Sequence, residues 1–484
     1  MDSHKKVIAC ILGLTGAIAL CTTASADDDG FGRGGGSGFG ALRDGLLKSL
    51  SMPLFGIGRP VDEASTESID AATAEANPLD LVTLARGLRA RVVSAQADLG
   101  PNIDMMTLYP KQHPTHIIAC NEQGPTQPGL QRIRLSDGHV ETILTGTNSC
   151  DPAHITPWGT VVFGEESGSS GTMLEVIDPL HTTGVVYDRV AHTLSGQDAA
   201  NVVERPALGH LSFEGVVTYP SGITYYGDEN RPGQGVAGGA YFKFIPTVPW
   251  MGGAPISSLT QSPLASGSVY GLRLGKRSGD TDYGQGTETG LGTWVPVVNA
   301  YDADLRAAAA ALSLTGYYRP EDGNLDEHAL ANGNVRFCAN NTGNESNDQS
   351  WGNTICVTDG TLDEALANTA LPAVQLFVVG TPQFSMMDNI AYRPGARTWV
   401  IHEDRDAVEM TGGPYPFNDS IWMCLEDGAD ADTLSDGCVR IATLNDLNAE
   451  STGGFFDDSG RHYYFSVQHN VTGHGVILDV TGWR

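Results

Sequence analysis

The chain has 484 residues, and its 57 acidic residues against 28 basic ones give a formal net charge of −29 at pH 7. A protein this acidic repels nucleic acids and anionic membranes, so the composition argues against both as partners. Its carboxylates are also a supply of oxygen ligands for hard cations such as Ca²⁺, and its length allows a large core.

The N-terminus has the pattern of a secretory signal peptide. Lys5 and Lys6 precede the apolar run VIACILGLTGAIAL, and the small residues ASA at 24–26 precede Asp27. A basic start, a short apolar run and a small-x-small site predict a signal peptide over residues 1–26, cleaved near Ala26. The apolar run is too short to span a bilayer. We therefore expect no membrane span and a periplasmic or extracellular location.

Residues 27–41 are acidic and then glycine-rich, which predicts a flexible leader over residues 27–75 with a modest helical pattern in ALRDGLLKSL. Ordered structure is expected to begin near Asn77. From there, short runs rich in β-branched and aromatic residues alternate with turn signals, as in strands. These runs are THIIACN, GLQRIRL, GTVVFGEE, GITYYGDE, GAYFKFIP, NVRFCANN, NTICVTD, LFVVG, RTWVIHED, SIWMCLE, CVRIATL and RHYYFSVQH. Convincing helical periodicity occurs only near 302–313.

This pattern predicts an all-β fold, a single β-propeller over residues 76–484, with paired sandwiches as the less favoured alternative. Six blades of four strands fit the length, together with loop insertions and a little helix. Residues 230–310, glycine-rich up to about residue 295, are expected to form an insertion over one face and not a blade of their own.

Six cysteines follow the predicted signal peptide, and an oxidising compartment favours disulfides between them. Cys338 and Cys356 are close in sequence, as are Cys424 and Cys438, so two local pairs are the simplest expectation. Cys120 and Cys150 remain, and the residues alone leave open whether they form a third disulfide.

Several predicted strands end in carboxylates. At matching strand ends of a propeller such acids would meet at the central channel, where like charges destabilise one another unless cations bind. The alternative is that they are solvated strand ends. The acids concerned are Glu122, Glu165, Glu166, Asp228, Glu229, Glu403, Asp404, Glu426 and Asp427, with Glu214, Glu321, Asp322 and Asp388 in neighbouring segments.

A family resemblance rests on several segments in order. Cys150 is followed by TPWGT at 156–160 and by Glu165–Glu166, and RPED at 319–322 precedes the strand VRFCANN. With the closing segments FSMMDNIAYRPGARTWV and TGGFFDDSGRHYYFSVQHN, they resemble the PhoX-type alkaline phosphatases, secreted β-propeller enzymes with a mixed calcium and iron centre. The likeness runs in patches from about residue 115 to 475.

The chain departs from that family at three places. Phe213 stands where the family has a histidine before Glu214, Asn121–Glu122 lacks an intervening histidine, and the leader has no twin-arginine pair. The last difference bears on iron loading. Trp158 of TPWGT is expected to pack in the core.

The resemblance implies roles by matching position. Cys150 would be an iron-ligating thiolate, Arg319 would bind the phosphate, and Glu214 and Glu321 would belong to the metal cluster. A thiolate is softer than a carboxylate and favours a transition metal over calcium, so the resemblance favours Cys150 as a ligand rather than a disulfide partner. The implied catalytic residues are Arg319, Cys150 and Glu321. Further metal ligands would be Glu122, Glu166, Asp228 and Asp388, and the cofactors would be Ca²⁺ and Fe³⁺.

The sequence thus predicts a secreted, monomeric, metal-dependent phosphatase acting on small phosphate monoesters. Metals and Arg319 would offset the charge of a dianionic substrate. Two alternatives stay open: a calcium-dependent propeller lactonase or esterase, and a non-catalytic, calcium-stabilised propeller that binds a partner. Substituting Cys150 or Arg319 separates them, because a lactonase should tolerate both changes and a binding protein has no activity to lose.

Overall fold

The computed structural model describes residues 38–231, 238–274, 289–343, 351–405, 417–428 and 432–484. The predicted signal peptide and the first part of the predicted leader lie outside these residues. Strands dominate the described part, and helices are few and short. The fold is all-β, as the alternation of strand and turn signals predicts. No helix in the described ranges has the length and apolarity needed to cross a membrane.

The N-terminal segment differs from the expected flexible leader. Helices α1 (Gly38–Ser49), α2 (Ser51–Phe55) and α3 (Ala71–Ala76) precede the first strand. Leu47, Phe55 and Ile57 are buried in a core shared with strands near the C-terminus. The helical pattern in ALRDGLLKSL is confirmed, but the ordered fold begins well before Asn77, because these apolar side chains pack against the end of the chain.

The remaining elements are short and follow one another closely. The strands are β1 (Val82–Leu84), β2 (Arg89–Ser94), β3 (Ile103–Tyr109), β4 (His116–Asn121), β5 (Pro128–Arg134), β6 (Val140–Thr145), β7 (Cys150–Ile155), β8 (Val161–Glu165), β9 (Met173–Val176), β10 (Val185–Asp188), β11 (Thr193–Gly196), β12 (Val202–Glu204), β13 (Phe213–Thr218), β14 (Thr224–Asp228), β15 (Gly239–Pro246), β16 (Gly267–Leu274), β17 (Gly290–Pro296), β18 (Gly316–Tyr317), β19 (Pro320–Leu325), β20 (Asn334–Asn341), β21 (Asn353–Thr361), β22 (Ala373–Val379), β23 (Met387–Arg393), β24 (Thr398–Glu403), β25 (Ser420–Leu425), β26 (Cys438–Leu444), β27 (Glu450–Phe456), β28 (Tyr463–Gln468) and β29 (Val476–Thr481). The helices among them are α4 (Leu305–Leu312), α5 (Glu327–Ala331) and α6 (Leu362–Ala367).

The strands form a six-bladed β-propeller. Six inner strands contact one another in turn around the ring, and the last contacts the first: β3, β7, β13, β19, β23 and β27. From each inner strand an antiparallel series of strands runs outward. Two blades, β13–β17 and β19–β22, form one continuous sheet because β17 pairs with β22.

The ring is closed by strands from the start of the chain. β2 pairs with β29 and completes the sixth blade, and β1 adds to the fifth blade through β26. The chain therefore joins its N-terminal and C-terminal parts within single sheets.

The predicted insertion at 230–310 is corrected by the sheet topology. β15, β16 and β17 lie in this region and are paired strands of the third blade. The helical periodicity near 302–313 is confirmed as α4, which Asp304 caps by accepting a hydrogen bond from the Ala307 N–H. Both predicted local disulfides, Cys338–Cys356 and Cys424–Cys438, are present.

The six inner strands share one register with their neighbours. In each blade the first residue of the inner strand pairs with the last residue of the next strand: Ile103 with Asn121, Cys150 with Glu165, Phe213 with Asp228, Pro320 with Asn341, Met387 with Glu403, and Glu450 with Gln468. In the first five blades a β-bulge follows this pair directly. A bulge inserts an extra residue and redirects its side chain, so the same position is singled out in blade after blade.

Candidate metal centre

A cavity of about 260 Å³ lies at the end of the channel where the inner strands begin. Carboxylates from all six blades line it, and two arginines are its cationic lining residues. The lining consists of Asp104, Glu122, Asp151, Glu166, Glu214, Glu229, Arg231, Arg319, Glu321, Asp388, Asp404, Glu450, Gln468 and His469. Ten carboxyl groups around so small a volume call for cations, because two arginines cannot balance their charge.

Two repeated positions supply these acids. The second residue of the inner strand, at the bulge, is acidic in five blades: Asp104, Asp151, Glu214, Glu321 and Asp388. The residue that follows the next strand supplies four more: Glu122, Glu166, Glu229 and Asp404. Since the register places these two positions side by side, each hairpin brings its acids to the same rim of the channel.

Three overlapping groups of acids have the geometry of metal ligands. In each group the candidate ligand atoms lie within 4.8 Å of one another. The groups are Asp151 with Glu166 and Glu214, Glu214 with Glu321 and Asp388, and Asp388 with Asp404 and Glu450. Glu214 and Asp388 each belong to two groups. The three groups therefore form a row and share two carboxylates, and these residues would hold the cations.

The acids are costly to ionise without cations. Burial, together with nearby Asp404 and Glu229, raises the pKa of Glu122 to about 7, against the opposing effect of Glu166 and Arg319. Burial and neighbouring carboxylates also hold the pKa values of Asp151 and Glu214 well above the usual range. Cation binding would favour the ionised carboxylates and would therefore release their protons.

Arg319 lies among the acids. Its Nε donates a hydrogen bond to Glu229 Oε1 at 2.6 Å, Nη2 lies 3.3 Å from Glu321 Oε1, and Nη1 lies 3.6 Å from Asp404 Oδ2. Burial acts to raise the pKa of Glu229, but Arg319, together with Glu166 and Arg231, outweighs burial and the pKa is lowered. Arg319 is thus held at the cavity wall by acids from three blades.

The two acids of RPED have different tasks. Glu321 faces the cavity and accepts a hydrogen bond from the Thr342 hydroxyl. Asp322 accepts from the backbone N–H groups of Gly323 and, across to the next inner strand, Ile390. Alternation along the strand separates them: Glu321 belongs to the site, and Asp322 joins two blades.

Asp228 does not join the cluster, which corrects its assignment as a ligand. Its carboxylate is paired with the Arg306 guanidinium through two hydrogen bonds of 2.8 and 2.7 Å. The next residue, Glu229, lines the cavity instead. The same alternation holds at the other acid pairs. Glu165 pairs with Arg189 and Glu403 with Arg405, while the residues that follow them face the cavity.

Cys150 is bonded to Cys120 in a disulfide, which corrects the expected thiolate. Both residues are fully buried, Cys150 one residue before Asp151 and Cys120 two residues before Glu122. A cysteine binds a metal as the thiolate, and a sulfur in a disulfide carries no such charge. The residues present do not fit an iron held by Cys150. The carboxylate oxygens do fit hard cations such as Ca²⁺.

The other predicted ligands, Glu122, Glu166, Glu214, Glu321 and Asp388, all line the one cavity. Sequence reasoning did not single out Asp104, Asp151 or Glu450, and it noted Glu229 and Asp404 only as strand-end acids. A usable signal was present, since an acid precedes each of Glu122, Glu166, Glu229 and Asp404 by 15 to 18 residues.

Trp158 of TPWGT has a structural role, as expected. It is fully buried and donates a hydrogen bond from Nε1 to Glu175 at 2.8 Å. Thr160, Arg205 and Ser262 also donate to the Glu175 carboxylate. The motif therefore satisfies a buried acid, which would otherwise be strongly destabilising.

Comparison with known proteins bears on identity. A family model described as alkaline phosphatase PhoX matches residues 111–470. The chain belongs to the PhoX alkaline phosphatase family. No curated protein sequence matches the chain. The acidic cavity agrees with the metal dependence of this family.

Solved structures resemble the chain to different degrees. PhoX of Pseudomonas fluorescens, in complex with the transition state analogue vanadate, has a TM-score of 0.59 and 15% identity, covering 86% of this chain and 98% of that one. A glucose dehydrogenase has a TM-score of 0.41 and 11% identity, with coverage of 81% and 98%. The PQQ domain of pyranose dehydrogenase from Coprinopsis cinerea gives 0.37 and 11%, with coverage of 84% and 98%. Of these three structures, PhoX of Pseudomonas fluorescens has a TM-score above 0.5, and this likeness shows the propeller fold.

Proposed function

We propose that the protein is a metal-dependent phosphatase that releases phosphate from small phosphate monoesters outside the cytoplasm. The observation that carries this proposal is the cavity that combines ten carboxylates with Arg319. Family membership supports phosphatase chemistry. Monoester specificity, calcium binding and secretion are parts of this proposal.

Calcium is the proposed cofactor, held by the three overlapping carboxylate groups. Bound cations offset the negative charge of the cavity and polarise phosphoryl oxygens. The ring of acids alone would repel a phosphate dianion, so substrate binding requires that the cations come first.

Arg319 is the proposed phosphate-binding residue. A guanidinium offers a planar set of five N–H donors that matches phosphate oxygens and the charge that spreads over them during transfer. Glu229, Glu321 and Asp404 fix its orientation before substrate arrives. A donor held in place in advance needs no reorganisation when charge develops.

Secretion is proposed from the signal-peptide pattern and supported by the three disulfides of the described region. Disulfides persist in oxidising compartments and are rare in the cytosol. We further propose that the mature protein acts as a monomer.

The test is hydrolysis of p-nitrophenyl phosphate by the purified mature protein with added Ca²⁺ and with a calcium chelator, alongside elemental analysis. Turnover that the chelator abolishes and Ca²⁺ restores is the expected result. Turnover of a lactone or aryl ester in place of the phosphate ester would contradict the proposal and favour a propeller lactonase or esterase. Calcium binding without turnover of either substrate would favour a binding propeller.

A further inference from the structure

The Cys120–Cys150 disulfide is close in sequence to two acids that line the cavity. Cys120 is near the end of β4 in the first blade, two residues before Glu122, and Cys150 begins β7 in the second blade, one residue before Asp151. The disulfide therefore joins the strands that present two cavity acids. Both sulfur-bearing residues are fully buried.

We infer that the cation centre of this chain is built from oxygen donors alone, and that the Cys120–Cys150 disulfide takes the place of a thiolate ligand. The inference rests on the proposed cation site and concerns its ligand chemistry. It sets this chain apart from a centre in which Cys150 binds iron.

The donor set supports this inference. Among the described residues, the three groups with ligand geometry contain aspartate and glutamate, without histidine or cysteine. Carboxylate oxygens are the preferred ligands of Ca²⁺, whereas thiolates select softer transition metals. With the sulfur withdrawn into a disulfide, nothing in these groups favours a soft metal over a hard one.

The disulfide also has a positioning role. It covalently joins neighbouring blades across a separation of 30 residues, next to acids whose mutual repulsion acts to spread the two strands. The bond holds Glu122 and Asp151 near each other when cations are absent. The cavity is therefore shaped in advance for its ions.

The first measurement is peptide mapping of the calcium-loaded, non-reduced protein by mass spectrometry. A peptide linking Cys120 to Cys150 is expected. Free Cys150 in the metal-loaded protein would overturn the inference. This arm uses the wild-type chain and so does not depend on any variant folding.

The second measurement uses Co²⁺ as a spectroscopic probe in chelator-treated protein. A cobalt–thiolate bond gives an intense near-ultraviolet charge-transfer band, so the wild type should bind Co²⁺ without it. Cys120→Ser releases the Cys150 sulfur and should gain the band. The matched control, Cys120→Ser with Cys150→Ser, should bind Co²⁺ without the band. A band in the wild type, or none in a folded, cobalt-loaded Cys120→Ser variant, would contradict the inference.

Failure of the proposed function gives a different pattern. A linked peptide and a sulfur-free cobalt spectrum, without p-nitrophenyl phosphate turnover, would keep the oxygen-only centre and remove the phosphatase proposal. Chelator-sensitive turnover with a free, metal-bound Cys150 would keep the phosphatase proposal and remove the oxygen-only centre.

Discussion

At the scale of single residues, the face of the strand on which a side chain lies decides its role. Glu229 and Asp228 are neighbours, yet one lines the cavity beside Arg319 and the other pairs with Arg306 outside the carboxylate row. Strand alternation sends consecutive side chains to opposite faces. Two neighbouring carboxylates therefore have different roles: Glu229 lines the cavity, and Asp228 forms an ion pair with Arg306.

Arg319→Ala should reduce kcat/KM for p-nitrophenyl phosphate on the order of a thousandfold, because the substrate loses its fixed guanidinium. Calcium content should be retained. Arg336→Ala is the matched control, since Arg336 also pairs with two acids, Asp326 and Glu426, but lies outside the cavity. A similar loss of turnover in both folded variants would contradict the role of Arg319.

Asp388→Asn should weaken calcium binding by more than about tenfold, because Asp388 belongs to two of the three ligand groups and an amide removes a charged ligand. Asp228→Asn should leave calcium affinity close to the wild-type value, since Asp228 pairs with Arg306. Isothermal titration calorimetry on chelator-treated protein measures both. Equal losses would place Asp228 back among the ligands.

At the scale of elements, the bulged hairpin is the unit that builds the site, and its close packing is visible at Gly215. This residue follows Glu214 on the third inner strand, where a Cβ would lie 2.1 Å from the Gly323 backbone nitrogen and 2.5 Å from Asp322 Cα. Backbone atoms of the neighbouring inner strand cannot move aside without disturbing the channel.

Gly215→Ala should therefore lower the free energy of unfolding by about 1–3 kcal/mol through overpacking, and should weaken calcium binding by displacing Glu214. Gly124→Ala is the control, because a Cβ there meets nothing within 4 Å. Urea unfolding monitored by tryptophan fluorescence gives both values. A Gly215→Ala variant as stable as Gly124→Ala would show that the two strands can separate at little cost.

The sequence predicted the outer strands of the blades better than the inner ones. Runs such as THIIACN and RHYYFSVQH have the β-branched and aromatic composition of strands and are strands in the structure. Inner strands such as CDPAHI and PEDGNL carry acids, proline and glycine, which lack that pattern. Their composition reflects the channel they line, so Asp151 was missed where local propensity and function conflict.

The family resemblance agreed with the fold that the strand pattern predicts and named several acids that line the cavity, but it did not predict the state of Cys150. Matching positions identified Glu214, Glu321 and Asp388, which the structure brings together. The disulfide depends on Cys120, a residue of another blade, and on a strand pairing that spacing alone does not reveal. Sequence reasoning left that pairing open, and the resemblance then favoured the wrong alternative.

At the scale of the whole molecule, the acidic cavity links stability to pH and to calcium. The folded-state pKa of Glu122 is about 7, above its ordinary value of 4.5, and the pKa values of Glu214 and Asp388 are also raised by burial. At pH values between the ordinary pKa of Glu122, 4.5, and its folded-state pKa of about 7, the metal-free folded state binds more protons than the unfolded state. Its free energy of unfolding therefore falls as pH rises through this window.

The chelator-treated protein should accordingly show a Tm that decreases from about pH 5 to pH 7.5. Saturating Ca²⁺ should remove that decrease, since each ion at a hundred times its dissociation constant adds about 2.7 kcal/mol. Differential scanning fluorimetry across pH, with Ca²⁺ and with chelator, measures the effect. A Tm of the metal-free protein that rises with pH would contradict the raised pKa values.

The pairing of β2 with β29 sets an order of events during synthesis. Arg89 and Thr481, which face each other in this pair, are 392 residues apart. β2 is synthesised early, but it can pair only after β29 has been synthesised. The acids that line the cavity come from every blade, from Asp104 in the first to Glu450 in the sixth. Ions can therefore gain their full set of ligands only after the chain has been completed and the circle joined. In the proposed calcium site the ions would therefore bind last, to a completed ring, and a chain that ended before Val476 would lack both the ring closure and the complete site.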